Sequence, residues 1–346
     1  MARDVPQDQI GPVHHDQPPI QEIRPDRLVR HIPLRPHQLT EQITPSKDVF
    51  VLSHVGVPRA KAEDWWLDIT GLVDRPCRLS FSELRAIPKR HVTALHECAG
   101  FPMKPDIATR RYANVVWGGV DLASLLSKAG IQREASFLWS FGIDKGIFQD
   151  VTSNVYVKDM PLSRLDEGDV LLAYEMNGQP LDSEHGFPLR LVIPGYYGTN
   201  LVKWLYRLEL ADRRAEGPYT TRYYNDPISN ENPGSGSKPL WELPPESVIV
   251  SPAPQEVLTM ENITIWGWAW AGAGLDTVEI TIDGSSWIAA DLQPADRWAW
   301  QRFTFEWKPP AQGSYCLMSR ARDKRAVYQP LEKARNAIYR VEMIVK

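Results

Sequence analysis

Among the three cysteines of this chain, Cys98 is the one whose neighbours mark it for chemistry. It lies in His96-Glu97-Cys98-Ala99-Gly100, just past the strand-like run His91-Val92-Thr93-Ala94-Leu95. A cysteine at a strand end, flanked by small residues, can face a pocket with room for a bulky ligand. Its soft thiolate suits a soft or high-valent metal centre. His91, His96 and Cys98 could instead belong to a zinc site, but that needs a fourth ligand at a compatible spacing, and none is visible. The remaining reading is a small buried hydrophobe, which is what Cys77 and Cys316 are expected to be. No Cys-x-x-Cys and no even-numbered disulfide framework is present.

A second constellation runs through His185-Gly186-Phe187-Pro188-Leu189-Arg190, Pro194-Gly195-Tyr196-Tyr197-Gly198 and Lys203-Trp204. Three cationic or hydrogen-bonding groups are spaced around a short apolar run and a glycine-rich turn. Side chains and open backbone amides arranged this way can hold a phosphate or a polar heterocycle. A solvent-exposed basic rim is the alternative, and the neighbouring glycines favour anion binding over it.

The elements that must position these groups are short. Residues 1–45, rich in Pro, His, Gln and Asp, carry no sustained period and read as an extended arm that wraps the body or stays mobile. His14-His15 within it is read as solvated. Trp65 to Gly71 reads as a strand closed by a glycine turn, and Ser80-Phe81-Ser82-Glu83 as a capping box opening a short helix before Pro88. A second helix is expected from about Asp121 to Ala129, stopped by Gly130. Leu171–Met176 and Leu189–Ile193 read as buried strands, and Asn177-Gly178 as a tight hairpin. Short strands interleaved with short helices indicate an α+β domain over residues 46–240. A Pro/Gly/Ser-rich crossover occupies about Asn225 to Pro245. Beyond it the hydrophobic period becomes 2, at Ile263, Ile265, Gly267 and Ala269 and again at Val278, Ile280 and Ile282 before Asp283-Gly284. Residues 241–346 therefore read as an immunoglobulin-like sandwich. Its tryptophans occupy both faces of a strand, which suggests that a partner covers one face.

A net charge of −4 gives no support to a nucleic-acid partner. No apolar run approaches the roughly 20 residues of a membrane span, and the start Met1-Ala-Arg-Asp-Val-Pro lacks the apolar core of a secretory signal. The chain as written is expected to stay in the cytoplasm, with a periplasmic location open to a processed precursor.

The order of motifs carries a resemblance. Phe50…His54, Glu97-Cys98-Ala99-Gly100, Trp117-Gly118, Tyr174-Glu175-Met176-Asn177-Gly178-Gln179-Pro180-Leu181, His185 to Arg190 and Val202-Lys203-Trp204 together resemble the molybdopterin domain of the sulfite oxidase family. The Trp-rich tail resembles that family's immunoglobulin-like dimerisation domain, so the similarity covers most of residues 48–346. The resemblance implies a molybdenum-molybdopterin cofactor, with Cys98 as the metal's thiolate ligand. It implies that Phe50, His54, Asp144, His185, Arg190 and Lys203 hold the cofactor. Tyr224 falls at the active-site tyrosine, with a one-residue ambiguity from Tyr223, and Trp117 falls near the substrate pocket or in the core. The implied activity is two-electron oxygen-atom transfer, sulfite to sulfate by default, in a homodimer. No haem- or flavin-binding segment is evident, as in the haem-free bacterial type, so electrons would leave to an external cytochrome or to oxygen.

The departures bear on the substrate. The family's Phe-x-Arg-Asn-His reads Phe50-Val51-Leu52-Ser53-His54, and its Cys-Ala-Gly-Asn-Arg-Arg reads Cys98-Ala99-Gly100-Phe101-Pro102-Met103. A further arginine is missing around Pro330-Leu331-Glu332. Each lost charge-assisted contact to a small dianion costs about 1.5–3 kcal/mol, unless Lys104, Arg110, Arg111 or Arg222 substitutes. With Leu52 and Met103 in the pocket, a less anionic substrate for the same cofactor is the alternative. A cofactor-free interaction protein is a third reading, which the retention of Cys98, His185, Arg190 and Lys203 weighs against.

Overall fold

The computed structural model describes residues 16–19, 22–24, 28–30, 35–100, 111–148, 151–228, 236–332 and 334–346. Met103, Lys104, Arg110 and the His14-His15 pair lie outside them. Within the described residues strands dominate, with two α-helices, Phe81–Ala86 and Leu122–Ala129.

Both helices form where the local chemistry calls for them. Ser80 accepts from the Glu83 amide while the Glu83 carboxylate accepts from the Ser80 amide at 2.8 Å, which satisfies two otherwise orphaned N–H groups. Asp121 caps the second helix by accepting from the Ser124 amide at 2.9 Å. That helix buries Leu122, Leu125, Leu126 and Ala129 and ends at Gly130, φ +77°. Asn177 and Gly178, at φ +52° and +75°, turn strand Leu171–Met176 into Gln179–Pro180, as the Asn-Gly pair requires.

The first unit holds two five-stranded sheets around one core. One runs in the order Tyr156–Pro161, Phe137–Gly142, Leu205–Ala211, Trp66–Gly71, Cys77–Ser80, with Leu205–Ala211 parallel to Trp66–Gly71 and the other pairs antiparallel. The other runs Gln179–Pro180, Leu171–Met176, Tyr112–Asp121, Arg90–Glu97, with Arg190–Val192 also paired to Leu171–Met176. Loops leaving these strands converge on one cleft. The arm takes part: Glu22–Arg24 pairs with Val57–Arg59, and Leu28–Arg30 pairs with Val51–Ser53. Its described parts therefore wrap the body.

The second unit is a β-sandwich of a four-stranded and a five-stranded sheet, whose inner faces bury Ile265, Val278, Ile280, Phe303, Leu317 and Val341. Three of the tryptophans expected to meet a partner, Trp268, Trp270 and Trp300, meet the first unit instead. Trp268 stacks on Trp300, centroids 4.8 Å apart, in a layer with Leu39, Leu95, Tyr112, Tyr197 and Trp270. Their N–H groups are placed as well: Trp268 donates to the Leu39 carbonyl at 2.6 Å, Trp300 to the Gln42 carbonyl at 3.0 Å and Trp270 to the Glu97 carboxylate at 3.0 Å. A wide aromatic face can be buried within one chain once each indole N–H finds an acceptor. Trp300→Ala, emptying a fully buried site in this layer, is expected to lower unfolding stability by about 3–5 kcal/mol in a urea titration.

Candidate active site

Cys98 follows directly on strand Arg90–Glu97. Its amide donates to the Arg111 carbonyl at 3.2 Å, and its side chain is 9% exposed on the wall of a cleft. That cleft encloses about 680 Å³ of space not filled by atoms, part of it open to solvent, and its walls include Phe50, Leu52, His54, Asp144, His185, Arg190, Lys203 and Tyr224. Eight residues from five separate segments of the chain thus converge around the thiol. Gly198 lets the floor close: a Cβ there would fall 2.9 Å from the His96 ring and 3.0 Å from the Glu97 carbonyl.

Each cation is held by backbone oxygens. Arg190, buried, donates to the His185 carbonyl at 2.9 Å and the Leu201 carbonyl at 3.3 Å, and its guanidinium lies 4.6 Å from the Trp117 ring centre. Burial pulls its pKa down to about 9. Lys203 donates to the Leu52 carbonyl at 3.0 Å and the Glu184 carbonyl at 2.9 Å, tying the Phe50–His54 segment to the His185 loop. Burial lowers the Lys203 ammonium, with Arg190 adding to the effect, while burial raises the Asp144 carboxyl; each of this pair opposes the other's shift. His185 Nδ1 lies 2.9 Å from Asp182. Burial works against the charge on Asp182, but the bonds from the His185 ring and backbone outweigh it and hold its pKa at about 2.

Phe50 stacks flat on His96 at 4.8 Å. His54 Nε2 and the Tyr224 hydroxyl share a hydrogen bond, and Phe148, Tyr156 and Tyr219 surround the imidazole. Tyr224 is the residue of its pair that faces the cleft; Tyr223 packs on Phe148 at 5.3 Å. Tyr224 sits at φ +60°, a conformation that a tyrosine keeps only where its surroundings impose it.

Two pocket candidates lie elsewhere. Trp117 is fully buried behind His96 and Arg190, because its strand sends it into the core. Arg222 ends the π-helical turn Pro218–Arg222, is exposed, and covers the Tyr223 ring at 5.3 Å. His91 is exposed while His96 is buried, and among the described residues no cluster of three or more His, Cys, Asp or Glu could hold a metal. A zinc site therefore finds no ligand set there.

Of the arginines offered as replacements for the missing ones, Arg111 stands at the thiol, and two further groups, Arg335 and Lys158, escaped the sequence reading. The Arg111 Nη1 lies 3.8 Å from Cys98 Sγ. Arg335, from the second unit, donates to the Ala99 carbonyl. Lys158, buried on strand Tyr156–Pro161, donates to the Tyr219 carbonyl at 2.8 Å and lies 5.4 Å from the Tyr224 ring centre. Neither Arg335 nor Lys158 belongs to a short motif, so spacing gave no signal for them.

The donor set fits the molybdopterin group that the resemblance implies. His96 Nδ1, His185 Nε2 and Arg190 Nε are buried polar atoms without a protein partner, and His96 and His185 line the cleft together with Arg190. Burial drives His96 far below its usual pKa, so it meets a ligand as a neutral imidazole. Buried cations depressed by desolvation are relieved by an anion, which a phosphate and a dithiolene supply.

A cation-rich cleft around one thiol, backed by a β-sandwich, defines a molybdopterin-type oxidoreductase. Residues 54–219 match the family model for the oxidoreductase molybdopterin binding domain, and 237–343 that for the Mo-co oxidoreductase dimerisation domain. The mitochondrial sulfite oxidase of Homo sapiens is 30% identical over 347 residues, covering 88% of this chain and 62% of its own length. A nitrate reductase [NADH] of Phaseolus vulgaris is 29% identical over 306 residues, covering 76% of this chain and 34% of its own. The crystal structure of the sulfane dehydrogenase SoxCD from Paracoccus pantotrophus superposes with a TM-score of 0.76 at 28% identity, over 88% of this chain and 82% of that one. The chain belongs to the sulfite oxidase family of molybdopterin-dependent oxidoreductases. It spans about three fifths of the length of the mammalian sulfite oxidases that it matches. Among the described residues no helix is long and apolar enough to cross a membrane.

Burial lowers the Lys158 pKa to about 7, against about 10.4 in an unfolded chain. Between these values the unfolded chain binds the extra proton, so the native state gains stability as pH rises through that window and loses it as pH falls toward 7. Lys158→Met removes this contribution. The rise in Tm from pH 7 to 9.5, followed by calorimetry, is expected to be smaller in the variant; an unchanged rise would mean that Lys158 keeps its proton when buried.

Proposed function

We propose that the chain is a molybdenum-cofactor oxidoreductase that carries out two-electron oxygen-atom transfer, with sulfite as substrate and sulfate as product. The observation that carries this reading is Cys98 Sγ on the wall of a cation-rich cleft, with the Arg111 guanidinium 3.8 Å from the sulfur. A molybdopterin cofactor held there would supply the oxygen-atom-transfer chemistry, with an external cytochrome or oxygen as the electron acceptor.

The residues have separate tasks. Cys98 provides the thiolate for the metal. His185, Arg190 and Lys203 hold the pterin and its phosphate, with Asp144, Phe50 and His54 closing around the cofactor. Asp182 fixes the His185 ring, so that Nε2 stays turned to the ligand. Tyr224 offers its hydroxyl toward the substrate, oriented by His54. Arg111 supplies charge beside the thiolate where the family's nearby arginine is replaced, and so supports a small anion as substrate.

A second reading, a less anionic substrate, has one observation in its favour: Leu52 stands on the cleft wall where an arginine would face sulfite. The structural relative's name, sulfane dehydrogenase, fits such a variation within this fold. The match of residues 237–343 to a dimerisation domain supports a homodimer, and light scattering at twice the monomer mass is the expected result.

Molybdenum content and sulfite-dependent reduction of cytochrome c test the reading in wild type and Cys98→Ser. Stoichiometric metal with turnover, lost in the variant, is expected; no metal after expression in a cofactor-competent host would overturn it. Arg111→Met is expected to raise KM for sulfite about tenfold or more, the size of a lost charge-assisted contact. Metal with no sulfite turnover in wild type moves the assignment to the less anionic substrate.

A further inference from the structure

Arg335 comes from the β-sandwich unit, yet its guanidinium touches both halves of the candidate centre. One terminal nitrogen, Nη1, donates to the backbone oxygen of Ala99, the residue after Cys98. The other, Nη2, donates to Asp226 Oδ1 at 2.9 Å, two residues after Tyr224. The side chain is only 17% exposed, so water competes weakly for these bonds. Ala99 is itself buried, and its carbonyl would lose this charge-assisted donor if Arg335 were removed.

The Tyr224 side has its own need for restraint. Its left-handed φ is held in part by the Leu240 amide, which donates to the Tyr224 carbonyl at 2.9 Å. Asp226 begins the next fixed point, in strand Asn225–Pro227, which pairs with Ser237–Pro239. Arg335 anchors that strand to the backbone beside Cys98. With both terminal nitrogens bonded to protein acceptors, Arg335 links the backbone beside Cys98 to Asp226. Leu331, in the Pro330-Leu331-Glu332 stretch around which a family arginine is missing, is 51% exposed. The cation that the second unit sends to the centre sits four residues further along.

Resting on the assignment of Cys98 and Tyr224 made above, we propose that Arg335 is a positioning residue for the reaction. It fixes the separation between the Cys98 sulfur and the Tyr224 hydroxyl, and through it the second unit completes the catalytic centre. Domain pairing is then a requirement of turnover, separate from any role in dimer formation.

The test uses the full chain in a Cys77→Ser/Cys316→Ser background, so that Cys98 is the only thiol. Arg335→Met, Arg335→Lys and Asp226→Asn are compared for molybdenum content, kcat, KM and the rate of Cys98 alkylation by iodoacetamide in metal-free protein. Arg335→Met is expected to retain metal while kcat falls about tenfold to a hundredfold, the scale of a misplaced reacting group, with KM little changed. Its alkylation rate should depart from that of the parent, and Arg335→Lys should recover part of both effects by restoring one donor. Wild-type kcat and an unaltered alkylation rate in Arg335→Met would overturn the proposal. Should both Arg335 variants fail to fold, Asp226→Asn decides: a folded protein with undiminished kcat would sink the idea equally. If the parent binds no molybdenum, the functional reading fails by itself, and the alkylation rates still decide whether Arg335 holds the Cys98 loop.

Discussion

Burying several positive charges around one thiol is the constraint that the rest of this structure answers. Arg190 and Lys203 lie in the walls of the cleft and Lys158 lies behind Tyr224, with Arg190 and Lys158 buried and Lys203 half-buried. Desolvation penalises every one of them. The fold meets that penalty with backbone carbonyl oxygens: those of Leu52, Glu184, His185, Leu201 and Tyr219 all accept from these three side chains. Because the acceptors belong to segments distant in sequence, the same bonds that solvate the cations tie those segments together. An anionic cofactor would complete the compensation that carbonyl dipoles begin.

The second constraint is the seam between the two units. Tryptophan rings bury a large apolar area there, and each indole N–H of Trp268, Trp270 and Trp300 is matched to an acceptor in the first unit. One of those acceptors is the carboxylate of Glu97, adjacent to Cys98. The Leu95 amide, three residues before Cys98, donates to the Trp298 carbonyl of the second unit at 2.9 Å. The strand that delivers the thiol is therefore clamped from the sandwich side, and the geometry of the centre depends on how the units dock.

Local signals survived folding intact. The capping box, the Asn177-Gly178 turn and the period-2 strands beyond residue 260 depend on neighbours within a few positions, so they were readable along the chain and recur in the structure. The cleft members Cys98, His185, Arg190 and Lys203 were readable too, because they lie within recognisable motifs flanked by small residues. Trp117 and Arg222 also lie next to motifs, yet they face away from the cleft. Along one strand or turn, sequence proximity does not fix which side a residue presents. The tryptophan face was read as a partner's surface for a related reason: a sequence shows that a face is apolar and not what covers it.

By itself the sequence determined the thiol, the cationic motifs, the two-part organisation and the change of hydrophobic period near residue 245. Tertiary structure alone decided that Arg111 stands against Cys98, that Arg335 spans Ala99 and Asp226, and that Tyr224 and not Tyr223 meets His54. The physical reason is separation along the chain. A helix cap or hairpin is settled by bonds spanning a few residues, whereas Arg335 and Ala99 are 236 positions apart. Their contact exists only because two hydrophobic cores, each assembled from strands distant in sequence, dock in one orientation.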